Sequence, residues 1–149
     1  VRDSKLKNHP EAEQLKQNRW AIVNLWRPLN AAVTRDNLAC CDARTAEEED
    51  LVALYANLSP ELQNAKNGYN FAAGSRSEAW EVKANKKHEW YYAANMKPDE
   101  ALLIKQFDSK QWIARRTPHT AFASEEDYGP TRQSIEVRCL CFWEDQPEK

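Results

Sequence analysis

No surplus of either charge marks this chain. Its 21 Lys and Arg stand against 23 Asp and Glu, a net charge of −2 over 149 residues. That balance removes the electrostatic case for binding nucleic acid or an anionic membrane surface. No apolar run approaches the length needed to cross a bilayer, and no N-terminal signal pattern is visible. The chain starts at Val1 rather than Met, so it is expected to be a processed product or part of something longer. Internal repeats and low-complexity segments are lacking as well. What remains is one domain over residues 1–149, long enough to bury a core without disulfides.

Zinc-type cysteine spacing is also missing. The four cysteines fall as Cys40-Cys41 and Cys139-x-Cys141, and neither pair has the two-to-four-residue gap that zinc modules use. Adjacent cysteines rarely bond to each other, and Cys139 and Cys141 share the apolar side of a strand pattern. Reduced, buried thiols are expected, which points to the cytoplasm.

What is present reads mostly as short strands. Residues 9–18 have helical composition, and 19–29, RWAIVNLWRPL, read as a strand ending at Pro28. Residues 37–41 form a short apolar run. Residues 45–58 open with a capping-box pattern, Thr45 to Glu48. Leu51, Leu54, Tyr55 and Leu58 follow at helical spacing, which predicts a helix. Residues 59–77 read as loop, with a short strand around Tyr69 to Phe71 as an option. Residues 78–84 and 88–93 predict strands joined by a turn at 85–87, and 101–107 a strand or short helix. Further short strands are expected at 111–114 and 119–123. A final strand runs from 132 to 143, with a frayed polar tail after Trp143. Two helical segments among many strands predict a β-rich α+β domain.

The most informative stretch is residues 117–138, TPHTAFASEEDYGPTRQSIEVR. His119 heads a short apolar run, and Arg132-x-Ser134 opens an alternating strand thirteen residues later. With a side-chain period of two, Arg132, Ser134, Glu136 and Arg138 share one face. Ile135, Val137, Cys139, Cys141 and Trp143 share the other. A cation and a hydroxyl two residues apart form a clamp for a carboxylate, and a histidine is a ligand suited to iron. Taken alone, His119 could be a strand histidine bonded to backbone, and Arg132 and Ser134 could face solvent on an edge strand.

RWAIVNLWRPL, LACCDART, HEWYYAANMKPDEALLIKQFDS, TPHTAF and RQSIEVR, in this order, resemble a fungal hydroxylase/desaturase family. That group includes gibberellin-desaturase-like proteins and the cephalosporin 7-alpha-hydroxylase type. The resemblance covers about residues 9 to 143. It implies a partial or complete double-stranded β-helix, or jelly roll, with flanking helices. It also implies an oxidoreductase dependent on Fe(II) and 2-oxoglutarate, a dioxygenase acting on small fungal secondary metabolites. By the same resemblance His119 is an iron ligand, while Arg132 and Ser134 hold the far carboxylate of 2-oxoglutarate. The inward orientation of the Arg132 face rests on it too, with Glu136 and Arg138 expected as an internal pair. The His119 and Arg132 strands are expected to be neighbours.

The chain departs from that family's pattern in three ways. It has no His-x-Asp to supply the other two iron ligands. Asn37 stands where the family usually has Pro, and Glu89 where it usually has Arg. His9-Pro10-Glu11 offers a histidine two residues from a carboxylate, but its composition favours a helix start. His88 is expected to pack on Trp90, Tyr91 and Tyr92. Trp20, Trp26, the 90–92 aromatics and Phe122 are candidates to line an apolar pocket, and Asn24 or Arg27 could face it. Two function classes therefore stand: an oxygenase or its C-terminal part, and a non-catalytic half-barrel. The second would bind a partner, or a second copy completing the barrel, through open strand edges.

Overall fold

The computed structural model describes residues 2–57 and 76–147. Two short helices, α1 (Arg2–Leu6) and α2 (Ala12–Leu15), lead into the long strand β1 (Asn18–Pro28). Then follow β2 (Leu38–Cys41), a 3₁₀ turn (Glu48–Asp50), β3 (Leu51–Asn57), β4 (Arg76–Val82) and β5 (Trp90–Tyr92). The chain ends with β6 (Leu102–Asp108), β7 (His119–Ala121) and β8 (Ser134–Pro147). The strands form two three-stranded sheets, ordered β6-β1-β8 and β5-β2-β7, and a β3-β4 hairpin ladder. All pairings are antiparallel.

Trp26, Val33, Leu38, Met96 and Ile104 are buried together, with Cys40 and Leu102 against them. Trp26, Ile104 and Leu102 come from the first sheet, and Leu38 and Cys40 from the second. The two sheets therefore face each other across this cluster, as in a sandwich. The register gives each face. Trp26 lies opposite Leu102 and Glu136, and Asn24 opposite Ile104 and Arg138, so all six share the inner side. Leu25, opposite Leu103 and Val137, is on the outer side, and these three side chains are exposed. The β-rich, jelly-roll-like architecture agrees with the expectation.

Several elements differ from the sequence expectations. Residues 51–57 are strand, not helix, and the capping box joins Glu47 and Asp50 rather than Thr45 and Glu48. The leucine spacing is compatible with either period. Leu51–Asn57 pairs with Arg76–Val82 along its whole length, and that partner decides for strand. Residues 58–75, most of the expected 59–77 loop and the optional strand around Tyr69 to Phe71, lie outside the described residues. Helix within 9–18 is confined to Ala12–Leu15, and 111–114 is irregular. β8 does not fray after Trp143: it runs on to Pro147, which pairs with Asn18.

His88 is also placed differently. Its Nε2 lies 2.9 Å from Asp50 Oδ2, and the side chain is buried. Asn85 Nδ2 donates to the same carboxylate at 3.1 Å. These hydrogen bonds, His88 first, hold the Asp50 carboxyl at about 2. The pair ties the start of the β3-β4 hairpin to the segment entering β5.

Candidate functional site

His119 and Arg132 do not sit on neighbouring strands. His119 begins β7 in the second sheet, and Arg132 lies two residues before β8 of the first. The extended segment ahead of β8 is fixed by Leu29 N–H donating to the Gln133 carbonyl at 2.8 Å. Each is linked instead to the core cluster. Cys40 is the register partner of His119, and Cys40 packs against the cluster that contains Trp26. The Arg132 guanidinium lies 5.6 Å from the centre of the Trp26 ring. Both candidates thus border the Trp26 cluster, His119 through its register partner Cys40 and Arg132 directly.

The surroundings of each residue limit its chemistry. His119 Nδ1 is 2.9 Å from the Thr117 carbonyl oxygen, so Nδ1–H donates and Nε2 is left as the lone-pair nitrogen. That is the tautomer a metal ligand needs, with the ring oriented by its second nitrogen. Arg132 Nη1 is buried and has no hydrogen-bond partner among the described residues. A buried guanidinium N–H without an acceptor is costly, and a ligand carboxylate would remove that cost. Ser134 opens β8, opposite Pro28, and its side is exposed.

Glu136 and Arg138 do not pair with each other directly. Asn24, 1% exposed, bridges them: its Nδ2 donates to Glu136 Oε1 at 2.5 Å, and its Oδ1 accepts from Arg138 Nε at 3.3 Å. The signal for this was visible as a polar residue inside the apolar run of β1. Arg27, on the outer face, takes no part. His9 and Glu11 are exposed, and His9 Nδ1 accepts the Glu11 N–H at 3.3 Å, consistent with a turn into α2.

No group of three or more His, Cys, Asp or Glu among the described residues could hold a metal ion. His119 therefore has no companion His, Cys, Asp or Glu cluster among the described residues. The four cysteines are free, and Cys41 is buried. A cavity of ≈ 570 Å³ opens between Arg19, Lys110, Trp112 and Asp145, and touches none of His119, Arg132 or Ser134. Of the aromatic candidates, Trp26 is in the core, Tyr92 packs edge-on against Phe122, and Trp90 and Tyr91 are exposed.

A family model described as "Oxidoreductase/YMDC permease-like domain" matches residues 2–142, and the chain belongs to that family. Hydroxylase/desaturase efuI of Hormonema carpetanum is 45% identical over 139 residues, covering 91% of this chain and 45% of the relative. Hydroxylase/desaturase asaB of Aspergillus flavus is 48% identical over 142 residues, covering 92% of this chain and 61% of the relative. Among solved structures, the iron and alpha-ketoglutarate-dependent endoperoxidase NvfI superposes with a TM-score of 0.75 at 26% identity. That match covers 95% of this chain and 49% of NvfI. The chain spans about half the length of the curated relatives it matches. It is an oxidoreductase-type domain similar to the fungal hydroxylase/desaturases, with a jelly-roll-like half of the fold seen in iron and 2-oxoglutarate enzymes. No helix among the described residues is long and apolar enough to cross a membrane.

Proposed function

We propose that residues 1–149 form one domain, the cosubstrate-anchoring part of an Fe(II)- and 2-oxoglutarate-dependent hydroxylase or desaturase of fungal secondary metabolism. The observation that carries this is the buried, unpartnered Nη1 of Arg132 on the inner surface that also includes the His119 register row. In this reading Arg132 takes the far carboxylate of 2-oxoglutarate, and Ser134 donates a hydroxyl to it. His119 offers Nε2 to the iron. Bound iron and 2-oxoglutarate would supply the oxidising power for hydroxylation or desaturation of a small metabolite. The protein's part is to fix the diacid by its far end and to keep one imidazole in the ligating tautomer.

Since the chain has no His-x-Asp, the remaining two iron ligands must come from protein outside it. A longer chain or an oligomer completing the barrel would serve, and the free thiols favour a reducing compartment such as the cytoplasm. The second reading, a half-barrel acting as a binding or oligomerisation module, draws on the same missing ligands. Isothermal titration of the chain with 2-oxoglutarate, against an Arg132→Met variant, separates the two. Binding that the variant loses supports the anchoring role. Equal heats from both proteins, or none from either, would favour the half-barrel.

A further inference from the structure

The inner face of the first sheet carries a second set of hydrogen-bond donors, away from Arg132. Arg138 gives Nε to Asn24, and its two terminal nitrogens have no partner among the described residues. Asn24 is buried, and its amide is held on the other side by Glu136. Arg138 is therefore aimed by a buried amide, with its outer nitrogens left over. The neighbouring strand adds another donor. The β1–β6 register shifts between Ile22 and Val23: Val23 pairs with Lys105, and Ile22 with Phe107. Gln106 is thus the extra residue of a β-bulge, a device that re-aims a side chain. Ile104, two residues earlier, lies on the inner side opposite Asn24, and Phe107 contacts Trp20 at 4.7 Å between ring centres. Gln106 is carried on that side, and its Nε2 is buried without an acceptor among the described residues.

We infer that Arg138 and Gln106 form a substrate subsite for a carboxylate, separate from the Arg132 anchor. The inference deepens the proposed function, on which it rests, by naming the chemical class of the substrate: an organic acid with an apolar body. Arg138 presents only donors and Gln106 an amide N–H without an acceptor among the described residues, which suits oxygen lone pairs. Strand rise puts Arg138 about 14 Å beyond Ser134, further than a five-carbon diacid held at Arg132 extends. The apolar body would lie along Ile22, Leu140 and Trp20, which continue the inner face past Arg138 in the same register.

The test is tryptophan-fluorescence titration of the full chain with 1-naphthoate, with 1-naphthamide and with 2-oxoglutarate. The wild type should bind naphthoate more tightly than the amide, and Arg138→Met should weaken naphthoate by about tenfold or more, the loss expected of a charge-assisted pair. Gln106→Leu should weaken it by a smaller factor. Neither change should alter 2-oxoglutarate binding, whereas Arg132→Met should lose 2-oxoglutarate and keep naphthoate. Unchanged naphthoate affinity in Arg138→Met, or no preference for the acid over the amide, overturns the subsite. Loss of 2-oxoglutarate instead of naphthoate in Arg138→Met assigns the arginine to the cosubstrate and also overturns it. If Arg132→Met retains 2-oxoglutarate, the anchor assignment fails, whatever happens at Arg138. Arg138→Lys guards against a folding defect: it should recover part of the naphthoate affinity and melt with the wild type.

Discussion

The Arg132 guanidinium rests over the Trp26 ring at 5.6 Å while its Nη1 is buried without a hydrogen-bond partner. A cation held against an aromatic face is oriented and partly desolvated before any ligand arrives. An anion that completes its hydrogen bonds meets a prepared partner, and little ordering is left to be done on binding.

On the proposed role, Arg132 serves a ligand rather than the fold. Arg132→Met should weaken 2-oxoglutarate binding by about tenfold or more. The empty protein should lose little stability: a buried unpaired donor costs about 1–3 kcal/mol, set against about 1 kcal/mol from the ring contact. Calorimetry and a urea melt on the same variant check both halves. A large loss of stability with intact binding would show the arginine to be structural.

Turnover should need protein beyond this chain. Given iron, ascorbate and oxygen, the isolated chain should release no succinate from 2-oxoglutarate, because one histidine cannot hold iron on its own. A longer form, or this chain with a partner supplying His-x-Asp, should release it. In that protein His119→Ala should abolish release, and Arg132→Ala should chiefly raise the 2-oxoglutarate requirement. Succinate from the isolated chain at an ordinary enzymatic rate would mean that another residue ligates, and His9 and Glu11 would be the first to test.

Asp108 should dominate acid sensitivity at the α1–α2 end of the first sheet. Its side chain is fully buried and accepts Arg19 Nη2 at 2.8 Å and Nε at 3.1 Å, with Lys105 Nζ at 3.1 Å. Burial pushes its carboxyl up, but Arg19, the Lys110 N–H and Lys105 together outweigh that and hold it at about 2. The folded value lies below the ordinary 3.8, so this stabilisation is complete above about pH 4 and is lost as pH falls towards 2. Asp108→Asn should cost about 2 kcal/mol at pH 7, the worth of a carboxyl shifted from 3.8 to about 2 by its cationic neighbours. The gap between variant and wild type in urea melts should then close between pH 4 and pH 2. A gap that does not change with pH would contradict the assignment.

The thiols should be free, and two of them slow to react. Burial, and then the neighbouring cysteine, push Cys40 and Cys141 above their usual range. The thiolate is the reactive form. Titration with a disulfide reagent at pH 8 should be multiphasic in the native protein and should count all four thiols in denaturant, with no zinc by elemental analysis. Stoichiometric zinc, or fewer than four thiols in denaturant, would refute this.

The strands around the site were legible because their residues speak locally. β1 and β8 are apolar runs bounded by turn residues, and the alternation after Arg132 separates the side with Glu136 and Arg138 from the side with Val137. His119 and Arg132-x-Ser134 stood out by type and spacing. The β3 strand was not legible. Leu51, Leu54 and Tyr55 suit a helix as well as a strand, and the choice was made by a partner strand that begins nineteen residues after β3 ends.

By itself the sequence determined the strand-rich class, the cysteine state to expect, the two site motifs and the missing His-x-Asp, all properties of residue type and short-range period. Only the tertiary structure decided that His119 and Arg132 belong to different sheets rather than to adjacent strands. It alone decided that Asn24 stands between Glu136 and Arg138, and that a bulge falls at Gln106. Those facts depend on register between strands far apart in the chain. A shift of one residue reverses every side chain, and no local pattern records which register the packed core selects.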